Sequence, residues 1–378
     1  MDVTRKIFWL SALIICATLF SLSCGSAHGN GDDDAVDDDT SDDDTTDDDS
    51  QDDDAVEYEY SIKVDDMPMA DVLQYVDALA ERGFTLYLNT RPYDIGSDDL
   101  AAVIERADEL GLKVKLWPLL NGTDGSWCNE DNLDLFINNV IATVNYVETI
   151  ADVVDTVVIN VELGHPKIDL IRQYFADGNY AGIVEILLGN RNPDMFEQSV
   201  AKLQELIDEL HGRGYLVQAT TYPFILDDFE DGDSDLQDIA NAPISGITWD
   251  IFAFTPYSTS YSDDLGVTIG PYFPYSYAKS AHEMFGDAAE IAVGIVDVST
   301  EPGYESPEQL AADVAAAKAA GIKRIDVYHL LGMVENDNFD EWADALLVEP
   351  KEPEKETTTD IMRLFIDFAD TILNTMND

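Results

Sequence analysis

Over residues 58–350, short β-branched or aromatic runs alternate with amphipathic stretches, and this alternation limits the fold more than any other feature of the chain. The strand-like runs fall at 60–64, 84–89, 112–119, 156–161, 215–220, 247–254, 291–296 and 324–330. Helical segments lie between them, at 70–82, 97–110, 132–150, 193–211 and 306–320. Ser97 is placed to cap the second of these, and Gly83, Gly111, Gly214 and Gly321 stand where helices should stop. The fourth run is almost entirely β-branched, as expected of a parallel strand covered on both faces. Eight such strands predict a (β/α)8 TIM barrel. The rival is a doubly wound open sheet, which usually begins with a Gly-rich phosphate loop. Here the first strand runs into Val64-Asp65-Asp66-Met67-Pro68, and no G-x-x-x-x-G-K motif occurs anywhere.

The segments flanking the barrel read differently. Arg5 and Lys6 precede an apolar run over 7–22, the pattern of a secretory signal rather than of a membrane span. The run ends in Ser21-Leu22-Ser23-Cys24-Gly25, which resembles the lipobox of bacterial lipoproteins. That resemblance implies cleavage after residue 23, lipidation at Cys24, and a cell-envelope location at the outer membrane or cell surface. Residues 24–57 carry five Asp triplets at a spacing of five, with small or polar residues between them. Like charges repel and nothing apolar recurs, so an extended disordered tether is expected. The triplets lack the Gly turn of a calcium loop. At the other end, 351–378 reads as a polar linker and an amphipathic helix over 360–376. Ile361, Leu364, Phe365, Phe368 and Ile372 form its expected apolar stripe. With Arg363 as its one base, that stripe is expected on the barrel rather than on a membrane.

The chain has 77 acidic residues against 20 basic ones, a net charge of −57. This argues against nucleic acid as a partner and leaves the lipid as the expected membrane contact. Of the three cysteines, Cys16 lies in the signal and Cys24 at the anchor. Cys128 is then alone in the mature domain, so no disulfide is expected there. The domain is expected to be monomeric.

In barrel enzymes the reacting groups stand at the carboxyl ends of the strands. Those ends offer Asp65 and Asp66, Asn89 and Arg91, Trp117, Asn121 and Trp127, Asn160, Glu162 and His165. The later strands add Thr221, Tyr222, Trp249, Asp250, Tyr257, Asp297, Tyr328 and His329. Carboxylates, aromatic rings and amides with few cations suit a sugar, whereas phosphate sites need cations or Gly-rich turns. Glu162 stands out, because an acid at the end of a Val and Ile strand is costly unless it is used or paired. The stretch Asp155-Thr-Val-Val-Ile-Asn160-Val-Glu162 resembles the D-x-x-D-x-D-x-E strand of family 18 chitinases. Val158 and Asn160 replace the two middle acids of that pattern. An Asn followed closely by Glu is also similar to the acid/base strand of the large retaining glycosidase clan on this barrel. These resemblances imply a glycoside hydrolase with Glu162 as general acid.

Such an enzyme needs a second carboxylate, and Asp297 and Asp250 are the candidates. Asn160, Trp117, Tyr222, Tyr257 and His329 are the expected substrate contacts for a poly- or oligosaccharide. The crowd of Tyr261, Tyr272, Phe273, Tyr275 and Tyr277 after the sixth strand is expected to contribute rings to the groove. No cofactor or metal is expected. Two other readings stay open. A metal-dependent sugar-isomerase-like barrel would use Glu162, His165, Asp250 and His329. A barrel without a working carboxylate pair would bind a glycan or a partner on the surface.

Overall fold

Eight parallel strands close into a barrel in sequence order. They are β1 (Glu59–Val64), β2 (Thr85–Thr90), β3 (Val114–Pro118), β4 (Val154–Asn160), β5 (Leu216–Thr221), β6 (Ile251–Phe254), β7 (Ala289–Gly294) and β8 (Arg324–Tyr328). The register Ser61↔Asp326 and Ile62↔Val327 between β1 and β8 closes the ring. This computed structural model describes residues 56–65, 67–296, 303–335 and 338–377. The expected signal, Cys24, the Asp triplets, Asp66 and Asp297 lie outside the described residues.

The main helices are α1 (Asp98–Leu110), α2 (Leu133–Val147), α3 (His165–Ala176), α4 (Tyr180–Asn190), α5 (Pro193–Arg213), α6 (Tyr272–Phe285), α7 (Pro307–Ala319) and α8 (Thr357–Asn377). Short helical turns at Met69–Val72 and Val76–Glu81 replace the single helix expected after β1. Ser97 caps α1 by accepting from Leu100 N at 3.2 Å, and Gly111 ends it in the left-handed region, as its residue type anticipates. No described helix is long and apolar enough to cross a membrane.

Alternation along each strand divides the barrel wall. Ile62 and Val64, Leu86 and Leu88, Leu116, Val157 and Ile159, and Ile325 and Val327 join the large core packed under the helices. The opposite positions point inward, and here the chain departs from the usual filling of branched apolar side chains. Lys63 sits 3.5 Å from Asp326, and Lys115 lies 3.8 Å from Asp326 and also pairs with Glu290. Gln218 Nε2 donates to Glu290 at 2.7 Å, and Lys63 lies 4.9 Å from the centre of the Tyr87 ring. Burial alone would raise the Asp326 carboxyl, but Lys115 and Lys63 outweigh it and hold that carboxyl below its usual range. Burial and then the charge of Asp326 push Glu290 up. Two ammonium groups and two carboxyls therefore neutralise one another beneath the barrel mouth.

The carboxyl-terminal helix packs on the barrel, as expected, but with its buried face rotated so that only part of the expected stripe turns inward. Met362, Ile366, Ala369 and Leu373 are buried along with Ile372 of that stripe, Phe365 and Phe368 are half-buried, and Ile361 is 47% and Leu364 65% exposed. The helix is turned by Arg363, which pairs with buried Asp227 at 2.7 Å and with Glu230 at 3.1 Å.

Candidate functional site

At the carboxyl ends of the strands a cavity of about 540 Å3 opens, within the range of small-molecule sites. Seven strand ends or the loops that follow them supply its polar and aromatic lining, among them Asp65, Arg91, Trp117, Glu162, Thr220, Tyr257 and Tyr328. Ile295, just after β7, supplies an apolar patch.

The β3 and β4 side is built on backbone pairing. Cys128 N donates to Asn160 O at 2.9 Å and Glu162 N donates to Cys128 O at 3.0 Å, so the β3 loop lies alongside the end of β4. This pairing fixes Glu162, only 3% exposed, at the cavity wall. It also delivers Trp127, whose ring stacks on His165 with centroids 4.3 Å apart. With its amide oriented to satisfy both neighbours, Asn160 donates to Thr220 O at 3.1 Å and accepts from Trp127 Nε1 at 3.1 Å. Burial holds the His165 imidazole below its usual value.

Across the cavity three side chains converge on Asp65. Asn89 Nδ2 donates to Oδ1, Arg91 approaches the same oxygen at 3.5 Å, and Tyr328 OH donates to Oδ2 at 3.1 Å. Arg91 is itself fixed by donating to Leu120 O at 2.9 Å. Tyr257 lies 5.8 Å from the Tyr328 ring, and Lys63 donates to its hydroxyl at 3.4 Å from below. Gly294 makes room for this ring, since a Cβ there would sit 3.1 Å from Tyr257 and 3.0 Å from Tyr328 O.

Of the expected site residues, Glu162, Asn160, Trp117 and Tyr257 line this cavity. Asp250 does not. The strand begins at Ile251 rather than 247, so Asp250 stands at the opposite end of the barrel. There it accepts from Val217 N at 2.7 Å and lies 2.8 Å from His211 Nε2. Tyr222 is also displaced. Its ring is fully buried against Phe224, and its hydroxyl accepts from Leu163 N at 3.2 Å, which supports the β4 loop from behind. His329 is buried behind Tyr328, with ring centroids 4.3 Å apart, and is not part of the lining. Tyr261, Phe273 and Tyr277 belong to the core, and Tyr272 and Tyr275 line a separate groove beside residues 352–355.

The four-ligand isomerase set is thereby divided, with Glu162 and His165 at the cavity and Asp250 at the far end. Among the described residues, the one group of three or more ligand-type side chains close enough to share an ion is Asp228, Asp233 and Asp370, none of which lines the cavity. Lys63 and Tyr93 are cavity residues that a reading of strand ends misses. Alternation could have found Lys63, because it lies on the face opposite Ile62 and Val64.

No family model and no curated protein matches the chain. Solved structures similar to it include the PgaB (BpsB) glycoside hydrolase domain of Bordetella bronchiseptica, with 11% identity and a TM-score of 0.47 over 78% of this chain and 100% of that one. A D-allulose 3-epimerase from Methylomonas sp. is similar at 11% identity and a TM-score of 0.43, over 84% of this chain and 98% of that one. An endo-1,4-beta-xylanase, XylE, of Penicillium canescens has 13% identity and a TM-score of 0.41, over 77% and 94%. At such identities these likenesses concern the barrel and carry no further argument.

Proposed function

We propose that this barrel is a glycoside hydrolase working at its carboxyl-end cavity. The observation that carries the reading is a single cavity with Glu162 and Asp65 in its walls and five aromatic residues, Tyr93, Trp117, Trp127, Tyr257 and Tyr328, around them. Paired carboxylates supply acid and base or nucleophile, and flat rings accept the apolar faces of pyranoses. In this reading Glu162 protonates the leaving oxygen. Asp65, oriented by Asn89, Arg91 and Tyr328, acts at the anomeric carbon directly or through a water. Asp297, just beyond β7, competes with it for that role. Asn160 contributes by holding Trp127. The lipobox-like Cys24 and the acidic tether would display the domain at the cell envelope.

The test is hydrolysis of a broad oligosaccharide panel by the wild type, Glu162→Gln, Asp65→Asn and Asp297→Asn. Loss of about 10²–10⁴-fold in Glu162→Gln and in one of the two Asp variants, with folding intact, is the expected result. Equal activity in Asp65→Asn would transfer the second role to Asp297. Sugar binding without turnover by the wild type would make the protein a glycan-binding module instead.

A further inference from the structure

A second cavity adjoins the main one. Asp65, Arg91 and Tyr93 line both, and the second, of about 340 Å3, lies over the β1 and β2 loops. Met67, Pro68 and Met69 give this second space apolar surface, and Asn89 and Asp94 give it polar groups. Tyr93 is 70% exposed at the junction. Its turn is fixed, because Arg91 N donates to Asp94 Oδ2 at 2.8 Å and Asp94 N donates to Arg91 O at 2.9 Å. A largely exposed ring on an ordered turn, in the lining of two adjacent cavities, is placed to stack on a ligand that reaches both.

We propose that the second cavity is an additional sugar subsite with Tyr93 as its platform, so that the protein takes a glycan chain and cuts it within its length. The inference rests on the carbohydrate reading above. Because Asp65 and Tyr93 line both cavities, a chain with its reacting bond between Asp65 and Glu162 is placed to carry a neighbouring residue past Tyr93. A single sugar would leave the second cavity unused. Mixed apolar and amide or carboxylate walls suit pyranose faces and hydroxyls better than an anionic group.

The experiment measures kcat/KM on cello-, xylo-, manno- and chito-oligosaccharide ladders, from disaccharide to hexasaccharide, for the wild type, Tyr93→Ala and Tyr93→Trp. On a ladder that is turned over, kcat/KM should rise with chain length. Tyr93→Ala should lose about ten-fold more on the hexasaccharide than on the disaccharide, and Tyr93→Trp should restore the length dependence. A flat dependence in the wild type, or an equal loss at every length in Tyr93→Ala, overturns the subsite and leaves the hydrolase reading standing. If the wild type neither turns over nor binds any ladder, the hydrolase reading fails and the subsite fails with it.

Discussion

Both carboxylate oxygens of Glu130 are buried without a hydrogen-bond partner among the described residues, on the β3 loop. Burial, then the charges of Asp238 and Asp131, raise this carboxyl to about 8, against a smaller opposing effect of Lys167. The folded state therefore holds the proton more tightly than the unfolded chain does. The stabilisation is complete below the ordinary Glu value, declines as pH rises toward 8 and is gone above it. Glu130→Gln should remove this slope. Thermal melts should show the variant more stable than wild type at pH 8.5, by on the order of 2 kcal/mol, with the curves converging near pH 4.5. Equal melting at every pH would refute the assignment. Asp250 gives the contrasting case. Its partners are Val217 N and His211, so Asp250→Ala should cost about 1 kcal/mol in denaturant melts and leave any glycosidase activity within about two-fold. Residue type and position made Glu162 and Trp117 legible in the sequence. Asp250 was misplaced because a boundary error of four residues moved it across the barrel, and Tyr222 because strand period does not say whether a side chain after a strand end turns back into the core.

Among the elements, β1, β3, β7 and β8 carry the charges that fill the barrel centre. Lys115→Met would leave Glu290 beside Asp326 with one ammonium fewer, and such a break of a buried pair costs about 3–5 kcal/mol. The double variant Lys115→Met with Glu290→Gln should recover most of that loss in chemical denaturation, and failure to recover would argue against the pairing. The element order was readable because a parallel barrel imposes a strand–helix rhythm, and strands covered on both faces are rich in Val and Ile. The ionic interior was not, because each charge looks isolated until β1, β3, β7 and β8 are brought into register. Nor was the docked face of α8. Its periodicity allows neighbouring stripes, and the pair between Arg363 and Asp227, 136 residues apart in sequence, selects one of them.

For the molecule as a whole, a net charge of −57 means that self-repulsion opposes the compact state and that salt relieves it. The melting temperature should rise by several degrees between about 0.05 and 0.5 M NaCl, and a flat or falling profile would contradict this. Cys128 offers a way to watch the site itself. It is buried, burial raises its thiol far above the usual value, and its backbone is the clasp between the β3 loop and Glu162. A thiol reagent can reach it only when that clasp opens. Cys128 is the one cysteine of residues 58–350, so in a protein spanning those residues its labelling rate becomes a clock for breathing at the candidate site, and any sugar that settles against Trp127 and Glu162 should slow the clock before turnover is ever detected.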